Sequence, residues 1–163
     1  MQNLKLTHDP ERPLISMRAN ARYFLDSFEL SKRHVAESSL RDGVVISSQA
    51  IPAVVNLLFA VELLLKLAYC TDLYLSDQRR FCFVKASKEI KGFNHKLSKI
   101  IGRAWVNDDF CRFMTPEISL FISQYDCAFV KWRYFFDEKV LEINDVNGLF
   151  DVARKLYNLI VSI

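Results

Sequence analysis

Three groups of side chains in this 163-residue chain have the types and spacing to do chemistry. The first is Glu62, Lys66 and Arg133. Glu62 and Lys66 stand four residues apart inside the apolar run AVVNLLFAVELLLKLAYC (53–70), with the acid N-terminal, the favourable order for a helical ion pair. With Arg133 they could line a polar pocket between two helices. They could equally be a structural seam, because a charge that loses its partner inside a helical bundle costs about 3–5 kcal/mol. The second is His95 with Lys96, after an irregular stretch and at a helix start, where outward-pointing N–H groups can hold a phosphate. An ordinary surface or capping histidine is the plainer reading. The third is a run of charge. Residues 79–103 hold Arg79, Arg80, Lys85, Lys88, Lys91, Lys96, Lys99 and Arg103 against Glu89 alone, a net +7; with the whole chain at +3, the remainder stands at −4. Phe81, Phe83 and Phe93 are interleaved with these charges, a composition that suits phosphate contacts and base stacking. A solvated face whose rings pack inward would have the same composition. The aromatic run FVKWRYFF reads as core packing or, where exposed, as a protein interface.

The bounds on these readings are simple. The length predicts one domain, residues 1–163, and half of the residues are hydrophobic with a quarter charged, a globular balance. Four Gly and four Pro argue for long helices rather than the many tight turns of a β-rich chain. Cys70, Cys82, Cys111 and Cys127 have no close pairing, and His8, His34 and His95 are scattered, so no metal site and no cofactor is expected. The N-terminus does not resemble a signal peptide, which predicts free thiols and a cytoplasmic protein. Residues 53–70 have the length of a membrane span, but Glu62 and Lys66 near the centre argue for the central helix of a bundle, with no membrane partner.

These side chains need elements to hold them. Residues 1–13, with Pro10 and Pro13, read as an N-terminal arm. Met17, Ala21, Phe24, Leu25 and Phe28 place a helix over about 14–38, followed by a loop at 39–48. A second helix runs from about Ile51 to Tyr69. Residues 71–93 read as irregular, with RFCFVK a possible short strand. Asn94 is the expected cap of a short helix ending near Trp105, with Leu97, Ile100, Ile101 and Ala104 on one face. Thr115-Pro116-Glu117 is a helix start, opening a stripe of Ile118, Phe121, Ile122, Tyr125, Phe129 and Trp132. Asp145 is the expected cap of the last helix, whose stripe is Val146, Leu149, Phe150, Ala153, Leu156, Tyr157 and Ile160; Gly148 weakens its start. The fold class is therefore all-α, an antiparallel bundle of four long helices and one short one.

AVELLLKLAY, GFNHKLSKI and YDCAFVKWRYFFD, in that order, resemble the motifs of HEPN domains, all-helical bundles with an A-x-E-L-L-L-K-like helix, an H-x-L segment and a helix ending in Y-x-R-Y. The resemblance covers roughly residues 50–140. It implies a homodimer, a setting in bacterial defence or toxin–antitoxin systems, a nucleotidyltransferase-type or other protein partner, and contact with RNA. Active members of the family are metal-independent ribonucleases with Arg, four to six residues, then His. No arginine here is so followed: after Arg133 come Tyr134, Phe135, Phe136, Asp137, Glu138 and Lys139. The expectation is thus a non-catalytic binding module for RNA or a protein. The alternatives are a divergent ribonuclease using Arg133 and His95, and a purely structural adaptor.

Overall fold

The computed structural model describes residues 11–39, 50–93, 95–126 and 145–163. The described residues are all-helical: α1 (Glu11–Ser39), α2 (Ala50–Ser76), α3 (Phe83–Lys91), α4 (Leu97–Ile101), α5 (Asp108–Phe113), α6 (Pro116–Ser123) and α7 (Val146–Ser162). Three are long and four are short. The expected fourth long helix, opening at Thr115, is the eight-residue α6 followed by a turn. Phe129, Trp132 and Arg133 lie outside the described residues, as do the 40–49 connection and Asn94.

α1 begins at Glu11, so the last residues of the expected arm form its first turn. An acid there suits the helix dipole, and Pro13 gives up an N–H that would have no partner. Its stripe buries Ala21, Leu25 and Phe28 against α2. The two helices run antiparallel: the Tyr74 hydroxyl donates to Glu11 at 2.7 Å at one end, and the rings of Phe24 and Phe59 meet edge to face at 4.7 Å further along. α7 runs antiparallel to α1 in turn. Phe28 meets Phe150 at 5.0 Å, and Arg22 lies over the Tyr157 ring at 5.6 Å.

α2 is the centre of the molecule. It is long and apolar enough to cross a membrane, and 72% of its most apolar window is buried within the protein. α1, α3, α4 and α7 all pack on it. Covered by so many neighbours, it carries apolar residues on most of its sides, which is why they recur with no clear helical period.

The stretch after Tyr69 departs from expectation. α2 continues to Ser76, and what RFCFVK suggested as a strand is the start of α3. Ala86 and Ile90 are buried on one side of it and the lysines exposed on the other, a helical period that outweighs a brief alternation around Phe81 and Phe83. α4 ends at Gly102 rather than near Trp105; Leu97, Ile100 and Ile101 are buried as expected, but Ala104 is exposed. α5 was not expected. Asn107 caps it, its side chain accepting from the N–H groups of Asp109 and Phe110.

Two caps are as read from the sequence. Thr115 Oγ1 accepts from the Ile118 N–H at 3.3 Å, and Asp145 Oδ1 accepts from the Gly148 N–H at 2.8 Å. The glycine at 148 has a reason: a Cβ there would lie 2.2 Å from the Asp145 carboxylate. Leu149, Phe150, Ala153, Leu156 and Ile160 form the buried stripe of α7.

Burial leaves a mark on ionisable groups of this core, Cys70 and Tyr125 among them. It pushes the Cys70 thiol up to about 12, and the Tyr125 hydroxyl, helped by Asp145, also up to about 12. Both are neutral in the folded state and ionise more readily unfolded, so their contribution is full below the ordinary thiol value of about 9 and is lost as pH rises towards 12. Urea midpoints measured at pH 8, 10 and 11 are therefore expected to fall steadily. A midpoint unchanged at pH 11 would contradict the burial of these groups.

Candidate nucleic-acid interface

Four polar residues of α2, Glu62, Lys66, Tyr69 and Asp72, are spaced four, three and three, which gathers them along one side of the helix. This seam faces the 89–107 segment. Glu62, 2% exposed, accepts from Lys66 and lies against His95, whose Nδ1 is 3.0 and 2.9 Å from its two carboxylate oxygens. Two turns on, the Tyr69 hydroxyl donates to Glu89, and its ring meets Phe93 at 5.8 Å. Burial first, and the Glu89 carboxylate second, push that hydroxyl up to about 12. Asp72 has no exposure at all. It accepts from Arg103 Nη2 at 3.1 Å, from the Val106 N–H at 3.1 Å and from the Asn107 N–H at 2.7 Å. The Arg103 guanidinium lies 4.1 Å from the centre of the Tyr69 ring and 5.4 Å from that of Trp105. Among the described residues its buried Nη1 has no hydrogen-bond acceptor, and the two rings offer their π faces to the guanidinium charge.

Of the polar seam expected from sequence, Glu62 and Lys66 are therefore joined, and Arg133 lies outside the described residues. His95, read from the sequence as a separate candidate, is brought to Glu62 across 33 positions. It sits in the left-handed backbone region at φ 60°, where a residue with a side chain is strained by about 1–3 kcal/mol.

The basic stretch divides. Arg79, Arg80, Lys85, Lys88, Lys91, Lys96 and Lys99 are exposed on α3, on α4 and on the turns beside them. Among the described residues only Arg80 of these is in an ion pair, with Asp77 at 3.5 Å. Arg103 turns inward to Asp72, so it belongs to the core of the segment rather than to its outer face. Glu89, the one acid of the stretch, is tied to Tyr69. Phe81, Phe83 and Phe93 are half-buried and packed against the core, so these rings do not form an open stacking platform.

The outer face that remains is positive and polar, suited to neutralising phosphates rather than to reading bases. Among the described residues no three His, Cys, Asp or Glu side chains gather to hold a metal. Sequence reasoning missed the roles of Tyr69, Asp72 and Glu89. The signal for Asp72 was present, as an acid inside a run that continues into Leu73, Tyr74 and Leu75. No family model matches the chain, nor does any curated protein or solved structure.

Replacing Asp72 by Ala would strand the Arg103 charge and two backbone N–H groups together. Breaking a buried pair in this way costs about 3–5 kcal/mol. The expected melting temperature is lower by roughly 10 °C, since each kcal/mol is worth about 2–4 °C in a chain of this length. Arg79→Ala, on the exposed face, is expected to melt within about 2 °C of wild type. Scanning calorimetry of the two variants checks the contrast.

Proposed function

We propose that the chain is a non-catalytic, HEPN-like binding module that holds RNA through its phosphates, on the face formed by α3, α4 and their flanking turns. One observation carries this reading: seven exposed Lys and Arg side chains share a short segment whose single acid is engaged by Tyr69. The outward face therefore keeps a net positive charge along the segment, with Arg80 alone of the seven in an ion pair among the described residues. Such a face attracts a polyanion chiefly by releasing its counterions, and its affinity is expected to be about micromolar near physiological salt. The HEPN likeness rests on the three ordered motifs, with Glu62 of the first and His95 of the second in contact. Homodimerisation, a protein partner and a place in bacterial defence or toxin–antitoxin systems belong to the same proposal.

A second reading is favoured by one contact. A carboxylate on Nδ1 is how a histidine is oriented for proton transfer, so Glu62 and His95 would suit a divergent, metal-independent ribonuclease with Arg133.

Titration of a fluorescent mixed-sequence RNA at several salt concentrations tests the binding. Each phosphate neutralised on a single strand contributes about 0.7 to the slope of log K against log salt. Reversing Lys88, Lys91 and Lys99 to Glu is expected to weaken binding and to reduce the slope by about 2. No binding at low salt would leave the structural adaptor. The same RNA run on a gel after long incubation is expected to be intact; metal-independent cutting abolished by His95→Ala would establish the ribonuclease instead. Light scattering at micromolar concentration is expected to give twice the chain mass of 19.0 kDa, and a monomer mass would remove the dimer.

A further inference from the structure

We propose that Glu62 is a positioning residue for the polyanion-binding face: by holding His95 it fixes the corner between α3 and α4, and with it the bearing of Lys91, Lys96 and Lys99 towards a phosphate chain. This rests on the RNA-binding reading above.

The corner is built in an unexpected way. A turn free to choose would place glycine in the left-handed region. Gly92 is available three positions earlier, yet it has φ −66°, and the left-handed residue is His95. At His95 the ring Nδ1 meets a carboxylate at 2.9 and 3.0 Å, on a residue buried in α2.

The lysines follow from this corner. Lys96 is the next residue, and its N–H donates back to the Phe93 carbonyl at 2.9 Å; the Lys99 N–H donates to the Lys96 carbonyl at 3.2 Å. α4 has only five residues and no side-chain cap at its start, so it has little of its own to fix where it begins. Glu89 on Tyr69 secures the body of α3, and Asp72 secures the chain beyond α4. Between those two points, Glu62 holds His95 to α2, beside the Tyr69–Phe93 ring contact, while Asp126 accepts from the N–H and the hydroxyl of Ser98 in the first turn of α4.

The sign of the effect separates positioning from charge. Glu62 is an acid beneath a basic face, so by Coulomb's law alone its removal should tighten the binding of a polyanion. A positioning role requires the opposite. Glu62→Gln weakens the contact by removing the carboxylate charge, and His95→Gly removes it outright. His95→Gly also allows the left-handed corner without strain, so it decides the matter if Glu62→Gln does not fold. In titrations against the same RNA, at a temperature where each variant is folded, both are expected to bind about five- to tenfold more weakly. The salt slope is expected to stay that of wild type, because the same lysines meet the phosphates. The double variant is expected to be no weaker than the weaker single one, as for two halves of one contact. Amide exchange is expected to speed up at residues 96–101 and to be unchanged in α1, which a general loss of stability would not produce. Affinity equal to or tighter than wild type in the folded variants overturns the proposal while the RNA-binding reading stands. Absence of binding by the wild-type chain overturns both.

Discussion

A buried carboxylate must be met by donors; besides Lys66, which meets Glu62 from within α2, one stretch of chain reaches both of the carboxylates on α2. Glu62 and Asp72 stand on a helix that is otherwise almost wholly apolar and enclosed by four others. Either one left unpartnered would cost about as much as a sizeable share of a domain's entire stability. His95 meets the first; Arg103 and the backbone of residues 106 and 107 meet the second. With Tyr69 holding Glu89 between them, the whole of 89–107 is laid along α2 by polar contacts as much as by apolar ones. This explains how so short a set of helices, with nine residues in α3 and five in α4, takes a defined place.

The same contacts sort the charges. Acids and the guanidinium of Arg103 are drawn towards α2, and the remaining basic side chains are left outside. The segregation comes from geometry: the seam on α2 offers carboxylates, so it takes up donors, and it takes one guanidinium where Tyr69 and Trp105 provide flat faces. Arginine suits that position because it can stack and donate at once, which a lysine ammonium does less well. The outward lysines keep their hydration and their reach.

Much of the frame was legible in the sequence. The stripes of α1 and α7 follow the helical period closely, and the caps at Thr115 and Asp145 were marked by residue type and by the Pro and Gly beside them. Less legible was the chain from Thr71 to Met114. Its elements are short, so each shows at most two turns of a pattern, and α3 carries two phenylalanines just before or at its start that mimic a strand. The Asn107-Asp108-Asp109 start of α5 was available as a signal and was passed over. For the candidate site, the side chains capable of chemistry could be named, but their pairing could not. Contacts such as Glu62 with His95 or Asp72 with Asn107 join positions more than thirty residues apart, and no local rule relates them. Arg103 shows the limit best: within a run of basic residues, only the position of Asp72 distinguishes it from its neighbours.

The enclosure of α2 also bears on how the chain is made. Synthesis delivers α1 and α2 before α7, and they cover one another along a single side. The side of α2 that will receive α7 stays open until residues 146–162 have left the ribosome. For that interval the nascent protein displays the longest apolar helix it has, the kind of surface that chaperones and membranes both recognise. A bilayer would accept the length of this helix but resist its acids, Glu62 and Asp72, which in the folded chain find their partners within the protein.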